Sequence, residues 1–301
     1  MKEERMQQKI GVIGLGNMGG AVAARLLACH EQLVVYDLSR DAMLPLVERG
    51  AAGTSSAREV VEQVDIVITI LPNGPHVDAA AEGSEGILAG AKSGLHWLEM
   101  STIDPQVTLR LAERAEAHDI VLMDVAIGKL PTHALQGELL LMAGGDRETL
   151  QMLSPILAHL GEVIHCGPLG AGISMKLVNN QLAGVTLAAT CEALLLGRKA
   201  GLTFETMQQV LTRTAANTAH LQGSIAQKVL PRQFEPGFRL DLMVKDAGLA
   251  LEMARQLDSP QMLSALVQQL RMTAMNQGLG EKDTTAFVQI FEQLADTLLD
   301  S

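Results

Sequence analysis

Six residues near the amino terminus, Gly14-Leu15-Gly16-Asn17-Met18-Gly19, constrain this chain more than any other feature. They stand between an apolar run at 9–13 and a helix-like stretch at 18–29. The order strand, glycine turn, helix puts glycines where the chain must turn tightly. It also leaves a helix start, with its free N–H groups, open to a pyrophosphate. A second β-rich run, Leu33-Val34-Val35-Tyr36, ends in Asp37, 18 residues beyond Gly19, and 40–49 has helical periodicity. This completes a βαβ unit. A carboxylate at the end of the second strand accepts hydrogen bonds from ribose hydroxyls and repels a 2′-phosphate. The spacing therefore predicts NAD as cofactor, with Gly14, Gly16, Asn17, Met18, Gly19 and Asp37 around it and Arg40 close enough to temper the preference over NADP. Two plainer alternatives stay open: a tight turn without ligand, and Asp37 as N-cap of the helix that starts near Arg40.

Further strands are expected at 66–70, 96–100, 120–125, 138–143 and 163–166, separated by helical segments such as 56–63 and 105–118. Strands alternating with helices imply a largely parallel sheet. The alternation stops near Gly167, and from there the periodicity is helical: 172–200, 203–212, 220–229, 240–257, 260–277 and 283–299. The fold class is thus α/β, a Rossmann-type doubly wound sheet over residues 1–168 followed by an all-helical C-terminal domain over 169–301. Leu71-Pro72-Asn73 leaves a strand at its carboxyl end, where open α/β sheets bind ligands, so Leu71 and Pro72 are candidate cofactor contacts; a plain proline turn is the alternative.

Composition excludes several functions. Aromatic residues are 2% of the chain, with one Trp97 and one Tyr36, so stacking of nucleic-acid bases has almost no raw material. A formal charge of -11 and a pI near 5.2 repel nucleic acids and anionic membranes. Cys29, Cys166 and Cys191 lack metal or disulfide spacing, and the eight histidines lack ligand spacing, so no metal is expected. The start, 1–8, is polar without an apolar export core, which points to a cytoplasmic protein. The apolar stretch 177–196 is interrupted by Asn179, Asn180, Gln181 and Glu192 and reads as a helix buried in protein.

Lys176, Asn179 and Asn180 follow the turn Gly167-Pro168-Leu169-Gly170-Ala171-Gly172 at spacings that share one helix face. An amine among Ile173, Leu177 and Val178 is costly unless it is used or paired. Such a lysine can act as an acid or base near neutrality, with the amides fixing it and a polar substrate. An interhelical polar network is the alternative.

At this point the chain resembles the β-hydroxyacid dehydrogenase family, which includes 3-hydroxyisobutyrate dehydrogenase and tartronate semialdehyde reductase. The resemblance runs over essentially the whole chain. Ile13 to Gly19 matches its amino-terminal pattern, although an asparagine common in the family is here Arg25. Ser101-Thr102-Ile103-Asp104-Pro105 matches S-T-x-x-P. The resemblance implies that Thr102 touches the nicotinamide end and Ser101 lines the substrate pocket; capping of the helix near Pro105 is compatible with both. Residues 167–180 match G-x-x-G-x-G-x-x-x-K-x-x-N-N, in which the lysine is catalytic, and Lys245-Asp246 matches a K-D pair whose lysine approaches the nicotinamide. Solvated helix charges are the alternative for that pair. One segment departs from the commonest D-A-P-V-S-G-G. This chain reads Asp124-Val125-Ala126-Ile127-Gly128-Lys129-Leu130-Pro131. It looks like the sulfolactaldehyde reductase branch, where a basic residue after that glycine helps bind a sulfonate. Lys129 is otherwise a surface loop lysine.

The resemblance implies an NAD-dependent oxidoreductase that interconverts a small anionic aldehyde acid and its hydroxy acid. Lys176 is the expected acid/base, with Ser101, Gly128, Lys129, Asn179 and Asn180 at the substrate. An imine reductase and a catalytically silent dinucleotide sensor are the rival readings. The catalytic lysine with Asp37 argues against the first, and the retained lysine and asparagines argue against the second. Relatives form dimers or tetramers, so a homodimer or homotetramer is expected. The substrate itself, the physiological direction and the choice between dimer and tetramer are not legible.

Overall fold

The computed structural model describes residues 8–29 and 32–299, so the charged start read as lacking an export core lies outside the described residues except for Gln8. The chain divides into two compact units, Met1–Lys176 and Leu177–Ser301. The first is an α/β layer structure. Its strands are β1 (Ile10–Ile13), β2 (Leu33–Tyr36), β3 (Ala52–Gly53), β4 (Ile66–Thr69), β5 (His96–Glu99), β6 (Val121–Gly128), β7 (Leu139–Gly144) and β8 (Gly161–Gly167). The helices between them are α1 (Asn17–Cys29), α2 (Arg40–Val47), α3 (Ala57–Val61), α4 (Gly74–Ala81), α5 (Ile87–Gly90), α6 (Pro105–Glu116), α7 (Pro131–Gln136) and α8 (Arg147–Leu157).

The strands form one sheet in the order β3-β2-β1-β4-β5-β6-β7-β8, and every pair is parallel except β6 with β7. Ten residues separate β6 from β7, fewer than a parallel crossover needs, so β7 runs back along β6. The strands are continuous apolar runs because both faces are covered. One core lies under α1, α2, α7 and α8, with Val22, Leu26, Leu153 and Leu157 against Ile10, Ile68 and Leu141. The other lies under α3 to α6, around Trp97, Ile87 and Leu111.

The second unit is helical. It takes most of α9 (Ala171–Lys199), which starts in the first unit, then α10 (Phe204–Leu211), α11 (Ala219–Gln222), α12 (Leu240–Gln256), α13 (Met262–Asn276) and α14 (Val288–Ala295). The helix expected over 220–229 is two pieces. Gly223 leaves helical geometry at φ -93° and ψ -103°, and Ile225–Val229 closes as a π turn. Glycine is where a helix breaks at least cost. The helix expected over 283–299 opens as a 3-10 turn, Thr284–Phe287, started by the Asp283 side chain, and stops at Asp296 in the left-handed region. Among the described residues no helix is long and apolar enough to cross a membrane.

The start of α9 is packed against the sheet without spare room. A Cβ on Gly172 would lie 2.3 Å from the Met142 carbonyl oxygen and 2.8 Å from an Asp124 carboxylate oxygen. Overpacking against backbone costs about 1–3 kcal/mol. Gly172→Ala is therefore expected to lower the unfolding free energy measured by urea titration by that order, and an unchanged value would show that the start of α9 is loosely seated.

Candidate functional site in the nucleotide-binding unit

The strand order reverses between β1 and β4, and the crevice outside their carboxyl ends is where an open sheet of this kind receives a ligand. The three glycines beside it have three different physical reasons. Gly14 has φ +90°, and a Cβ there would lie 2.3 Å from the Ile70 carbonyl oxygen, so the turn off β1 admits only glycine. A Cβ on Gly19 would lie 2.0 Å from the Gly14 carbonyl oxygen, so α1 packs too closely on the turn for any side chain. Gly16 meets nothing within 4 Å. It is exposed, as is Asn17 beside it, and this leaves the start of α1 open to an approaching anion. Met18 packs against the core under α1.

Asp37 is not the N-cap of α2, which begins at Ser39 without a side-chain cap. Its carboxylate instead accepts from Leu15 N at 2.7 Å and Ser39 N at 2.8 Å. It clamps the glycine turn to the end of β2 and retains lone pairs for a ribose hydroxyl. Arg25, the departure from the family pattern, donates to the His159 carbonyl at 2.8 Å and serves packing under α1.

The ends of β4 and β5 are tied together through Ser101. Its Oγ accepts from Leu71 N at 2.8 Å, and its own N donates to the Glu99 carboxylate at 2.7 Å. Thr69 donates its hydroxyl to Glu99 and accepts the Trp97 indole N–H at 2.8 Å. Capping of α6, one of the roles open to Ser101 and Thr102, belongs to Asp104, whose carboxylate accepts from Gln106 N at 2.8 Å. Thr102 and Leu71 are half-buried, and Pro72 is exposed beside Asn73, which caps α4. Glu99 itself carries no role in the sequence reading. Burial pushes its carboxyl up to about 7, against the hydrogen bonds from Ser101 and Thr69 and with help from the negative charge of Asp124.

Asp124 was likewise read only as part of a motif. It is 1% exposed and accepts from Gly170 N at 2.6 Å, just before α9, and from Ile173 N at 2.7 Å, an amide of its first turn. Burial raises its pKa, and those two amides hold the rise back. A carboxylate on a strand therefore anchors the helix that carries Lys176 one turn further on. The sign legible in the sequence was a charged residue within a buried strand, which is rarely without a job.

Strand β6 runs four residues past Asp124, ending at the buried Gly128. Lys129 follows in the left-handed region, φ +72°, a costly conformation for a residue with a Cβ. Its Nζ donates to the Glu138 carbonyl at 2.7 Å. Lys129 is exposed, and it is held by backbone rather than by a carboxylate.

Lys176 is half-buried on α9. In the helical unit, Asn179 is exposed and donates to Asn180 Oδ1 at 3.0 Å, while Asn180 is buried and donates to Asp246 Oδ2 at 2.7 Å. Asp246, 2% exposed, also pairs with the Lys245 amine at 3.2 Å. The K-D pair is therefore not a couple of solvated helix charges. Asp246 joins α12 to α9 through Asn180, a link absent from the sequence reading.

Comparison with known proteins matches the chain to two family models. Residues 9–167 match the NAD binding domain of 6-phosphogluconate dehydrogenase, and residues 170–291 match the NAD-binding domain of NADP-dependent 3-hydroxyisobutyrate dehydrogenase. The 3-sulfolactaldehyde reductase of Escherichia coli (strain K12) is 35% identical over 93% of this chain and 94% of its own length. The 3-hydroxyisobutyrate dehydrogenase of Pseudomonas aeruginosa is also 35% identical, over 87% of this chain and 90% of its own. Among solved structures, Mycobacterium tuberculosis 3-hydroxyisobutyrate dehydrogenase with L-serine superposes with a TM-score of 0.88 at 28% identity, covering 95% of this chain and 99% of that one. An imine reductase variant from Myxococcus stipitatus, at 20% identity and a TM-score of 0.66, shares the fold alone.

The glycine geometry separates two effects. Gly16→Ala places a methyl in open space, so its thermal midpoint is expected to stay within about 1 °C of the parent while NADH affinity falls roughly tenfold or more. Gly19→Ala is expected to lose stability first. Calorimetry and NADH titration on both variants check this, and a destabilised Gly16→Ala with normal NADH binding would contradict it.

Proposed function

Because the chain belongs to the β-hydroxyacid dehydrogenase family and is an NAD-dependent member of it, we propose that it interconverts a small aldehyde acid and the corresponding primary hydroxy acid, with Lys176 as the acid/base. The observation that carries this is the seating of α9: Asp124 pins its first turn to β6, beside the cofactor-facing ends of β4 and β5, and Lys176 follows three residues after Ile173. The glycine turn, the open start of α1 and the Asp37 carboxylate fit the pyrophosphate and ribose of NAD. Bound NAD supplies a two-electron hydride exchange with the substrate carbon. In reduction, negative charge builds on the carbonyl oxygen, and the Lys176 ammonium stabilises it and delivers the proton; in oxidation the neutral amine removes the hydroxyl proton.

The other roles follow from the resemblance. Thr102, Leu71, Pro72 and Lys245 lie toward the cofactor in this reading, and Asp37 favours NAD over NADP. Ser101, Gly128, Lys129 and Asn179 meet the substrate. Asn180 is better placed as a support: it is buried, and its amide already bonds to Asn179 and Asp246. The acid group falls to Lys129 together with Ser101 and Asn179. One of the three Lys129 N–H donors rests on the Glu138 carbonyl, which leaves two for a sulfonate or carboxylate, and the residue's left-handed backbone is a strain that a binding role accounts for. A 3-sulfolactaldehyde-like or semialdehyde substrate fits this cation. Self-association is assigned to the helical unit, where Leu257, Met262, Leu263 and Leu266 are exposed apolar side chains.

Two measurements test the reading. Lys176→Ala is expected to leave NADH affinity nearly unchanged and to lower kcat by a factor of about 100 or more, because the amine acts on the transition state. Near-normal turnover would end the mechanism. In a panel of NAD-linked oxidations that includes 2,3-dihydroxypropane-1-sulfonate and 3-hydroxyisobutyrate, Lys129→Ala is expected to cut kcat/KM for the acid substrates about 10-fold to 100-fold, the worth of one charge-assisted hydrogen bond. Lys129→Arg should retain it. Indifference of every acid to both changes would return Lys129 to the solvated surface.

A further inference from the structure

Thr69, Glu99 and Asp124 lie directly across from one another on β4, β5 and β6, so their side chains leave the same face of the sheet, and all three are buried. Two carboxylates opposite each other on neighbouring strands repel, and burial makes this worse. They are resolved differently. Asp124 faces the amides at the start of α9, which favour its charged form against the burial that raises its pKa. Glu99 faces only neutral donors: the Ser101 N–H, the Ser101 hydroxyl and the Thr69 hydroxyl.

The Ser101 hydroxyl is the informative member. Its oxygen already accepts from Leu71 N, and it has one proton to give. We propose that Glu99 is a positioning residue that couples the grip of Ser101 on an anionic substrate to a proton held at the carboxyl edge of the sheet. The proposal rests on the reading that Ser101 meets the substrate's acid group. With Glu99 ionised, the Ser101 proton points down to the carboxylate, and Ser101 offers an incoming anion only lone pairs. With Glu99 protonated, its O–H must find an acceptor. Thr69 goes on donating its own proton to the other Glu99 oxygen, and the Ser101 oxygen keeps one lone pair beside the Leu71 N–H, so the acid proton turns to Ser101. The Ser101 proton is then released to the substrate oxygen. Where Glu99 was ionised, one proton enters from solvent as the acid group binds, and no bond to carbon changes.

The carboxyl of Glu99 stands near 7, so both states are populated around neutrality. The charged group facing it is Asp124 from β6; β4 presents Thr69 and β5 presents Trp97 and Ser101, which carry no charge. The sign is fixed: substrate binding favours the protonated form, so affinity is highest at low pH and falls as pH rises through 7.

The test measures KM and kcat for NAD-linked oxidation of 2,3-dihydroxypropane-1-sulfonate and 3-hydroxyisobutyrate from pH 6 to 8.5 in the full-length enzyme, in Glu99→Gln and in Ser101→Ala. Fluorescence of Trp97, the only indole, is titrated in parallel, since its N–H leads to Glu99 through Thr69. In the parent, KM is expected to rise about tenfold between pH 6 and pH 8 with the midpoint of the fluorescence change. Glu99→Gln, a neutral amide of the same shape, is expected to hold the low-pH KM throughout and to lose the fluorescence transition. A KM that tracks pH equally well in Glu99→Gln overturns the proposal. Ser101→Ala distinguishes the two levels. Unchanged KM at every pH removes Ser101 from the acid group and overturns the underlying reading, whereas a raised KM with the parental pH dependence overturns the coupling alone. If Glu99→Gln does not fold, the parent decides. Calorimetry of 3-hydroxyisobutyrate binding to the NADH complex at pH 7.5, in two buffers of different ionisation enthalpy, is expected to show uptake of more than about half a proton per site, and zero uptake overturns the coupling.

Discussion

One buried carboxylate settles where the longest helix begins. Asp124 takes the Gly170 amide that leads into α9 and the Ile173 amide of its first turn, and so fixes the helix start to β6. The consequences reach both β7 and α9. Gly144 on β7 and Gly172 on α9 must lack side chains, since a Cβ on either would enter the space of the Asp124 carboxylate. The register of α9 is also set, and with it the direction in which Lys176 leaves the helix. Removing the carboxylate would orphan two buried amides and release the helix start at once, so the anchor and the proposed catalytic amine are inseparable.

Asp124 also imposes a condition on its neighbour. A second carboxylate directly across the ladder can be kept only if it is neutral or richly hydrogen-bonded, and Glu99 is placed between those two states. The row Ile13, Thr69, Glu99, Asp124, Gly144 thus changes from apolar to polar to glycine as it crosses from β1 to β7. Where β1 ends, the chain needs a turn open to phosphate. Where β4 and β5 end, the Thr69 hydroxyl meets Glu99 and the Ser101 hydroxyl meets the Leu71 amide, and where β6 and β7 meet, Asp124 anchors the helix start.

The architecture was legible because two kinds of signal are local. Apolar runs of strand length alternate with helical periodicity up to Gly167, and the alternation then stops, so the sheet, the helical unit and the glycine turn after β1 could be read from neighbouring residues. What escaped depends on partners far along the chain. Glu99 and Asp124 read as polar ends of apolar runs, and their meaning appears only when β4, β5, β6 and α9 are brought together. The reversed direction of β7 follows from a ten-residue connection, too short for a parallel crossover. The break at Gly223 and the role of Asp246 as the partner of Asn180 are tertiary facts in the same sense. Lys129 was readable as a cation in an unusual place, but its left-handed backbone and its hold on the Glu138 carbonyl were not.

A chain with a formal charge of -11 that handles anionic dinucleotides and acids has to supply positive potential locally without cancelling it. In the first unit the sources are tied down by groups that leave their charge intact. The start of α1 is kept open by Gly16, and the Asp37 carboxylate that clamps the turn takes the Leu15 amide rather than the helix start. Lys129 rests on a carbonyl oxygen, whose dipole orients the amine without neutralising it as an acid side chain would. The carboxylate nearest the edge, Glu99, is raised toward neutrality by burial instead of being paired with a cation. Each arrangement costs stability, in strain or in desolvation, and each leaves a positive or neutral surface where an anion must arrive. Placing the acids under the sheet edge and the cations beyond it is therefore a requirement of the chemistry, because the reverse order would expose the full negative field of the protein to its own ligands.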